Sequence, residues 1–152
     1  MTEPFNVYGD DWESEEQRPG YRRRGTAIGP RFGAQKLGMS LYELPPGEKS
    51  FPYHYEIGCE EWLIVVAGRP TLRDPSGERA LEAGEVVCFP DGPAGAHQVR
   101  NDTAEPVRVL ILSNKPPVAL ARYPDSKKVM LWTQAEGPSV VKDEPVDYWL
   151  DE

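Results

Sequence analysis

The chain has two histidines, and the first of them lies among carboxylates. Glu56 follows His54 by two residues, and Glu61 follows Glu56 by five. Imidazole and carboxylate groups together form the ligand set of borderline divalent metals such as Fe, Mn, Ni, Co and Zn. The same groups also serve as general acids and bases. From these residues alone, a metal site, an acid–base site and an ordinary surface ion pair all stay open.

The elements that must position these side chains are predicted to be short strands. The chain contains 16 prolines and 14 glycines, and runs rich in Val, Leu, Ile and aromatic residues lie between them. Many short strands without helical periodicity between them predict an all-β sandwich or barrel. The turn signals and one acidic run place a short helical turn near 10–17 and strands near 37–44, 51–56, 61–67, 70–74, 79–82, 85–89, 96–100, 107–113 and 128–132.

Strand geometry then predicts which side chains meet. Alternate residues of a strand share a face, so His54 and Glu56 should project together. A turn after Glu56 would place Glu61 beside them at the start of the next strand. The second histidine, His97, begins another strand about 40 residues further on. Trp62, next to Glu61, is predicted to lie in the barrel core.

Composition and charge argue against several classes of partner. The chain has 17 Lys plus Arg against 25 Asp plus Glu, a formal net charge of -8, which would repel the phosphates of a nucleic acid. The basic cluster Arg22-Arg23-Arg24 is expected to be solvated or salt-bridged. No stretch reaches the roughly 18 apolar residues of a membrane span. Free cysteines and an acidic N-terminus without signal-peptide features predict a cytoplasmic protein.

Two glycine-bounded patterns enclose the histidines. The first, G-x5-H-x-H-x3-4-E-x6-G, is matched with one extra residue before its first histidine by Gly47, His54, Glu61 and Gly68. The second, G-x5-P-x-G-x2-H-x3-N, is matched with two extra residues before its histidine by Gly84, Pro90, Gly92, His97 and Asn101. These are the two motifs of the cupin superfamily, which the chain resembles over roughly residues 5–150. Phrases such as LYELPPG, FPYHY and GEVVCFPDGPAGAHQVRNDT resemble small single-domain bacterial cupins of undefined activity.

The resemblance implies a fold and an assembly. The expected fold is all-β, the cupin double-stranded β-helix or jelly-roll barrel, in a single domain over residues 1–152. Its core would cover about residues 37–114, with flanking segments 1–36 and 115–152. Those flanking segments would supply edge strands or subunit contacts, so a homodimer is expected.

The resemblance also implies a ligand set with one departure. Glu56 stands where cupins usually carry a second motif histidine, so His54, Glu56, Glu61 and His97 would hold a divalent metal ion such as Fe, Mn, Zn or Ni. Two carboxylates would favour Mn or Fe over copper. If Glu56 swings aside, His54, Glu61 and His97 form the set of non-haem iron oxygenases. Glu56 could instead be the catalytic acid or base, or its presence could mark a lost metal site.

Three functions follow from this pattern. The first is a metal-dependent isomerase, epimerase, dioxygenase or decarboxylase that acts on a small oxygen-rich molecule such as a sugar, an organic acid or a carbonyl compound. The second is a non-catalytic ligand-binding or sensory protein, and the third is a metal-free structural protein. For the first two, the partner would be a small molecule bound at the barrel mouth. The fold hosts so many activities that it does not select among them.

Overall fold

The computed structural model describes residues 3–133 and 135–151. Helical structure in these ranges consists of helix α1, Ile28–Arg31, and a 3₁₀ turn, Pro93–Gly95. No helix in this part of the chain is long and apolar enough to cross a membrane. The strands in chain order are β1 Ser14–Glu16, β2 Arg23–Ala27, β3 Leu37–Leu44, β4 Tyr55–Ile57, β5 Glu61–Ala67, β6 Thr71–Asp74, β7 Gly77–Ala80, β8 Val86–Phe89, β9 Gln98–Arg100, β10 Val107–Asn114, β11 Val118–Tyr123, β12 Lys128–Thr133 and β13 Gly137–Lys142.

The strands form three antiparallel sheets that enclose a barrel. One wall is a six-stranded sheet in the order β1-β2-β3-β10-β5-β8. The facing wall consists of a four-stranded sheet, β13-β12-β11-β4, and a three-stranded sheet, β7-β6-β9. Isolated backbone bridges, including one between His54 and His97, connect the segments of this second wall. The predicted all-β jelly-roll barrel is therefore confirmed.

The predicted strands agree best where apolar residues dominate the run. Those at 37–44, 61–67, 107–113 and 128–132 match β3, β5, β10 and β12 to within one residue. The strand predicted at 51–56 is wrong over its first half, because residues 51–53 lie outside any strand and β4 begins at Tyr55. Pro52 has no N–H to donate to a strand ladder. Strands β1, β2, β11 and β13 were not predicted.

The helical turn predicted at residues 10–17 is also wrong. Residues 14–16 form β1, which pairs with β2. The Glu13 N–H donates to the Gly25 carbonyl at 3.1 Å, and the Ser14 hydroxyl donates to the same oxygen at 3.2 Å. Local propensity is a weak prior that tertiary pairing overrides, and here the pairing with β2 occupies the backbone groups that a helix would need.

Alternation along the central strands separates an inner face from an outer face. Leu63 and Val65 of β5 and Val107 of β10 are fully buried in the core between the walls. Trp62 lies on the opposite face of β5 and is 43% exposed, so the prediction that it belongs to the core is wrong. The same alternation turns the side chain of Glu61 inward. Glu61 is the first residue of β5, and the apolar core stops there.

A buried ion pair holds the N-terminal segment on the outer face of the six-stranded sheet. Glu43 accepts hydrogen bonds from the guanidinium groups of Arg24 and Arg108. Arg108 also donates to the Gly9 carbonyl at 2.8 Å. Under this segment, a second apolar cluster joins Ile28, Leu41 and Leu110 to Phe5, Val7 and Trp12.

The arginine cluster is salt-bridged at two of its three positions. Arg22 donates from its backbone N–H and its Nε to the buried Glu48 carboxylate, at 2.9 and 2.7 Å. Arg24 pairs with Glu43. Arg23 forms no ion pair with any residue of the described ranges. The expected salt-bridged patch is thus confirmed for Arg22 and Arg24.

Glu48→Gln is expected to make the free energy of unfolding decrease less steeply as the pH is lowered. The Arg22 backbone N–H and, after it, the Arg22 guanidinium hold the pKa of Glu48 below its ordinary value of 4.5, against the effect of burial. A carboxyl with a lowered folded pKa contributes stability above its unfolded pKa, and that contribution is lost as the pH falls through the folded pKa. Urea denaturation midpoints measured from neutral pH to about pH 2 test this.

The exposed residue Glu144 provides the matched control. The variant Glu144→Gln should keep the wild-type dependence of the midpoint on pH. A dependence in Glu48→Gln that equals the wild-type one would contradict the prediction.

Candidate metal centre

His54 and His97 are brought together by their own backbones. The His54 N–H donates to the His97 carbonyl at 3.1 Å, and the His97 N–H donates to the His54 carbonyl at 2.8 Å. In a hydrogen-bonded antiparallel pair of this kind, both side chains project to the same face. Their rings lie 4.7 Å apart, centre to centre, with an interplanar angle of 50°.

Each imidazole is held with one nitrogen turned towards the backbone. The Nδ1 atom of His54 lies 2.9 Å from the Pro52 carbonyl, and that of His97 lies 2.9 Å from the Gly95 carbonyl. A carbonyl oxygen only accepts, so in both rings Nδ1 carries the proton and donates it. The Nε2 lone pairs of both residues are therefore left for a ligand.

Glu61 completes a group of three converging donors. Its Oε2 atom lies 3.5 Å from the Nε2 atom of His97. One ligand atom from each of His54, Glu61 and His97 lies within 4.8 Å of the other two. Ligands at about 2.0–2.3 Å from a shared ion are separated by at most about 4.6 Å. A small adjustment of side chains would therefore place all three donors around one divalent ion.

Burial sets the protonation of these groups. It lowers the pKa of His54. Burial and then the neighbouring His54 imidazole lower the pKa of His97 to about 3. Burial and then the Glu56 carboxylate raise the pKa of Glu61 to about 8. At neutral pH without an ion, both imidazoles are therefore neutral and Glu61 keeps its proton, which a bound cation would displace.

Glu56 lies on the same cavity but outside the group of three. Its side chain is half-buried and lines the cavity with His54, Glu61 and His97. The closest set of metal-type donors among the described residues consists of His54, Glu61 and His97 without it. Glu56 is therefore placed to interact either with an ion at the three donors or with a molecule bound next to it.

The cavity has room for a small molecule beside these residues. Its volume is about 250 Å³, and apolar side chains such as Val99, Val109 and Ile111 line it. Hydroxyl groups also line it, from Ser40, Tyr42, Ser50, Ser113 and Tyr123. Such a lining combines a few polar groups with an apolar base, as small-molecule sites commonly do.

Tyr123 is a cavity residue that the sequence reading missed. Its ring stacks on His54 with 5.6 Å between ring centres. It ends β11, in which Ala121 and Ala119 occupy the same face two and four residues earlier. That alternation could have predicted a strand here, but the flanking prolines of the sequence favoured a turn.

Gly95 is a second residue that was missed, and its role is to position His97. A Cβ atom at Gly95 would overlap the carbonyl oxygen of Pro90. The close approach lets the 3₁₀ turn direct the Gly95 carbonyl at Nδ1 of His97. The other side of the His97 ring is fixed by Phe89, which stacks on it at 3.7 Å with an interplanar angle of 6°.

Gly95→Ala is expected to destabilise the protein by about 1–3 kcal/mol, because the added methyl group has no space. It should also weaken metal binding, because the turn that orients His97 must move. Denaturation midpoints and metal titration measure the two effects. Ala94→Ser, at an exposed position of the same turn, is the control and should match wild type. A Gly95→Ala variant with wild-type stability would refute this account of the turn.

Comparison with known proteins identifies a family over the barrel. Residues 40–113 match a family model described as Cupin domain. Auxin-binding protein 1 from Arabidopsis thaliana is 28% identical over an alignment of 117 residues that covers 71% of this chain. The aligned region is 57% of that protein's length, so this chain spans little more than half of that curated relative.

Solved structures extend the likeness beyond the matched segment. A sugar phosphate isomerase of the cupin superfamily from Silicibacter pomeroyi superposes with a TM-score of 0.82 at 24% identity, covering 96% of this chain and 98% of that one. A candidate sugar phosphate isomerase from Acidithiobacillus ferrooxidans superposes with a TM-score of 0.77 at 26% identity, covering 90% and 87% of the two chains. The shared fold thus includes most of the flanking segments.

Proposed function

Because this chain is a small cupin-domain protein, we propose that it binds a divalent metal ion through His54, Glu61 and His97. The ion and the cavity around it would bind a small oxygen-rich organic molecule. The observation that carries the proposal is the convergence of two unprotonated Nε2 atoms and one carboxylate.

The donor set fits a borderline divalent ion. Two imidazoles and one carboxylate are ligands that Fe, Mn, Zn and Ni all accept. Three protein ligands leave coordination positions open for a substrate, as in catalytic metal sites. When bound, such an ion supplies Lewis-acid polarisation of a carbonyl or hydroxyl oxygen. The groups around the ligands also support a metal site, because each histidine donates its other ring N–H to a backbone carbonyl.

The cavity supports a ligand of about the size of a sugar. Its volume is about 250 Å³, and its lining mixes hydroxyl-bearing residues with aliphatic ones. Hydroxyl groups exchange hydrogen bonds readily with polyols and carbonyl compounds, since each can donate and accept. The isomerase assignment of the Acidithiobacillus ferrooxidans protein makes isomerisation of a sugar the first reaction to test.

Glu56 is proposed to have one of two roles, either as an acid or base in catalysis or as a ligand of the metal. Its carboxylate faces the same cavity as the three donors. Isomerisation of a hydroxy-carbonyl compound moves a proton between adjacent atoms, and a positioned carboxylate can accept and return that proton. Alternatively the carboxylate joins the coordination shell as a fourth ligand. The two roles differ in their effect on metal retention.

Protein purified without chelator or nickel resin is expected to contain about one divalent ion per chain by elemental analysis. His97→Ala removes a ligand and leaves the other donors in place. It should weaken metal affinity by more than the roughly 10–100-fold that loss of an outer partner costs. The metal-induced rise in melting temperature should disappear with it.

Tyr123→Phe is the control for this experiment, because it keeps the ring against His54 and removes only a hydroxyl group. It should retain the ion. Wild-type protein that binds no divalent ion on titration, or a His97→Ala variant that binds it as tightly as wild type, would contradict the proposed site.

Substitution of Glu56 distinguishes its two roles. If Glu56 is a ligand, Glu56→Ala should weaken metal retention, and Glu56→His should keep the ion with a preference shifted towards softer metals. If it is the acid or base, Glu56→Ala should keep the metal and lose turnover, by about 100-fold or more. Metal titration and a sugar-isomerisation assay report the two quantities separately. Unchanged metal content, ligand binding and turnover in both variants would show that Glu56 has neither role.

A further inference from the structure

Arg23 lies beside the cavity, with its guanidinium group over an aromatic side chain that lines it. Its guanidinium carbon lies 4.3 Å from the Phe51 ring centre and 6.0 Å from the Tyr42 ring centre. Both rings line the cavity. The Phe51 ring is in turn 6.3 Å from the His54 ring. Phe51 is therefore a common neighbour of the guanidinium group and of the proposed metal ligand His54.

Strand geometry explains why Arg23 differs from its neighbours. Arg24 pairs with Glu43 across β2 and β3, and Gly25 pairs with Tyr42. Alternation then places Arg23 and Gly25 on the cavity side and Arg24 on the outer side. Consistent with this, Arg23 is close enough to act on Tyr42: burial raises the pKa of the Tyr42 phenol, Ser40 and then Arg23 lower it, and Glu61 raises it.

The guanidinium is positioned but keeps most of its donors free. One N–H donates to the Tyr21 carbonyl at 3.2 Å. Arg22 and Arg24 bond to buried glutamates, whereas within the described ranges no carboxylate pairs with Arg23. A guanidinium has five N–H donors in a planar fork that matches a carboxylate or phosphate. A fork oriented by a ring and a carbonyl loses little freedom when it binds such a group.

We propose that Arg23 binds an anionic group, a carboxylate or a phosphate, at one end of the ligand whose other end contacts the metal. This inference rests on the proposed function, because it places the second end of the ligand at the metal. It makes Arg23 the residue that selects charged ligands over neutral ones of the same skeleton.

The distribution of charge supports one orientation of such a ligand. The interior of the cavity carries the carboxylates of Glu56 and Glu61, and its lining in the described part of the chain includes no lysine or arginine. With a divalent ion bound, these carboxylates offset its charge, so an anionic group would be attracted more strongly by the Arg23 guanidinium than by the metal centre. The hydroxyl or carbonyl end of the ligand is thus directed inward and the anionic end outward.

The test compares three sugars that differ at one carbon. Glucose, glucuronate and glucose 6-phosphate are titrated into the metal-loaded protein by calorimetry. Wild type is expected to bind glucuronate or glucose 6-phosphate at least about tenfold more tightly than glucose. Whichever anionic sugar shows the larger preference identifies the group, carboxylate or phosphate. Arg23→Gln should abolish the preference without changing metal content, and Arg23→Lys should retain part of it.

Arg18→Gln is the matched control, since it removes the same charge from an exposed position of the same segment. It should leave the preference unchanged. Absence of any preference in wild type, or a full preference in Arg23→Gln, would overturn the inference. Metal content is measured on every sample, so failure of the metal site is seen separately. A preference without bound metal would contradict the proposed function and leave the role of Arg23 standing.

Discussion

The backbone pair between His54 and His97 is the contact on which the arrangement of the site depends. It connects the segment that leads into β4 with the segment that leads into β9, and these strands belong to different sheets. Two reciprocal hydrogen bonds fix the distance between the residues. Carbonyls two residues upstream of each histidine then fix the ring orientations. Main-chain atoms therefore determine where both Nε2 lone pairs point.

The apolar core of the barrel ends beside this pair of histidines. Along the inner face of β5 the side chains change from Val65 and Leu63, which are fully buried, to the Glu61 carboxylate. Burying an unpaired carboxyl group is costly, and among the described residues Glu61 has no cationic partner, because the nearby His97 is neutral. Because a folded domain is stable by only about 5–15 kcal/mol, the apolar cluster must offset that cost. An ion that binds only to the folded site would stabilise the folded state and so offset part of this free-energy cost.

The sequence predicted the barrel because its strongest signals are local. Apolar runs such as those of β5 and β10 and the turn glycines need no partner to be recognised. The site residues were found for a different reason, since the resemblance marked their positions. What escaped prediction depends on contacts distant in sequence: β1 exists because β2 pairs with it, and Tyr123 reaches the cavity because β11 pairs with β4. The close approach of Gly95 to Pro90 also has no signature in composition or period.

Charge balance connects Glu56 to Arg23. With both histidines neutral, the Glu56 and Glu61 carboxylates would together offset the two positive charges of a divalent ion. The proposed metal centre would then exert little net attraction on an anionic ligand, whereas a histidine in place of Glu56 would leave one positive charge there. A neutral centre leaves recognition of an anion to a separate cation, and Arg23 is a cation that contacts a cavity-lining ring and has no carboxylate partner in the described ranges. On this reasoning Glu56 and Arg23 act together. Glu56 lowers the net positive charge at the metal, and Arg23 supplies a positive charge beside the cavity. Their effects on ligand charge preference should therefore be coupled rather than additive.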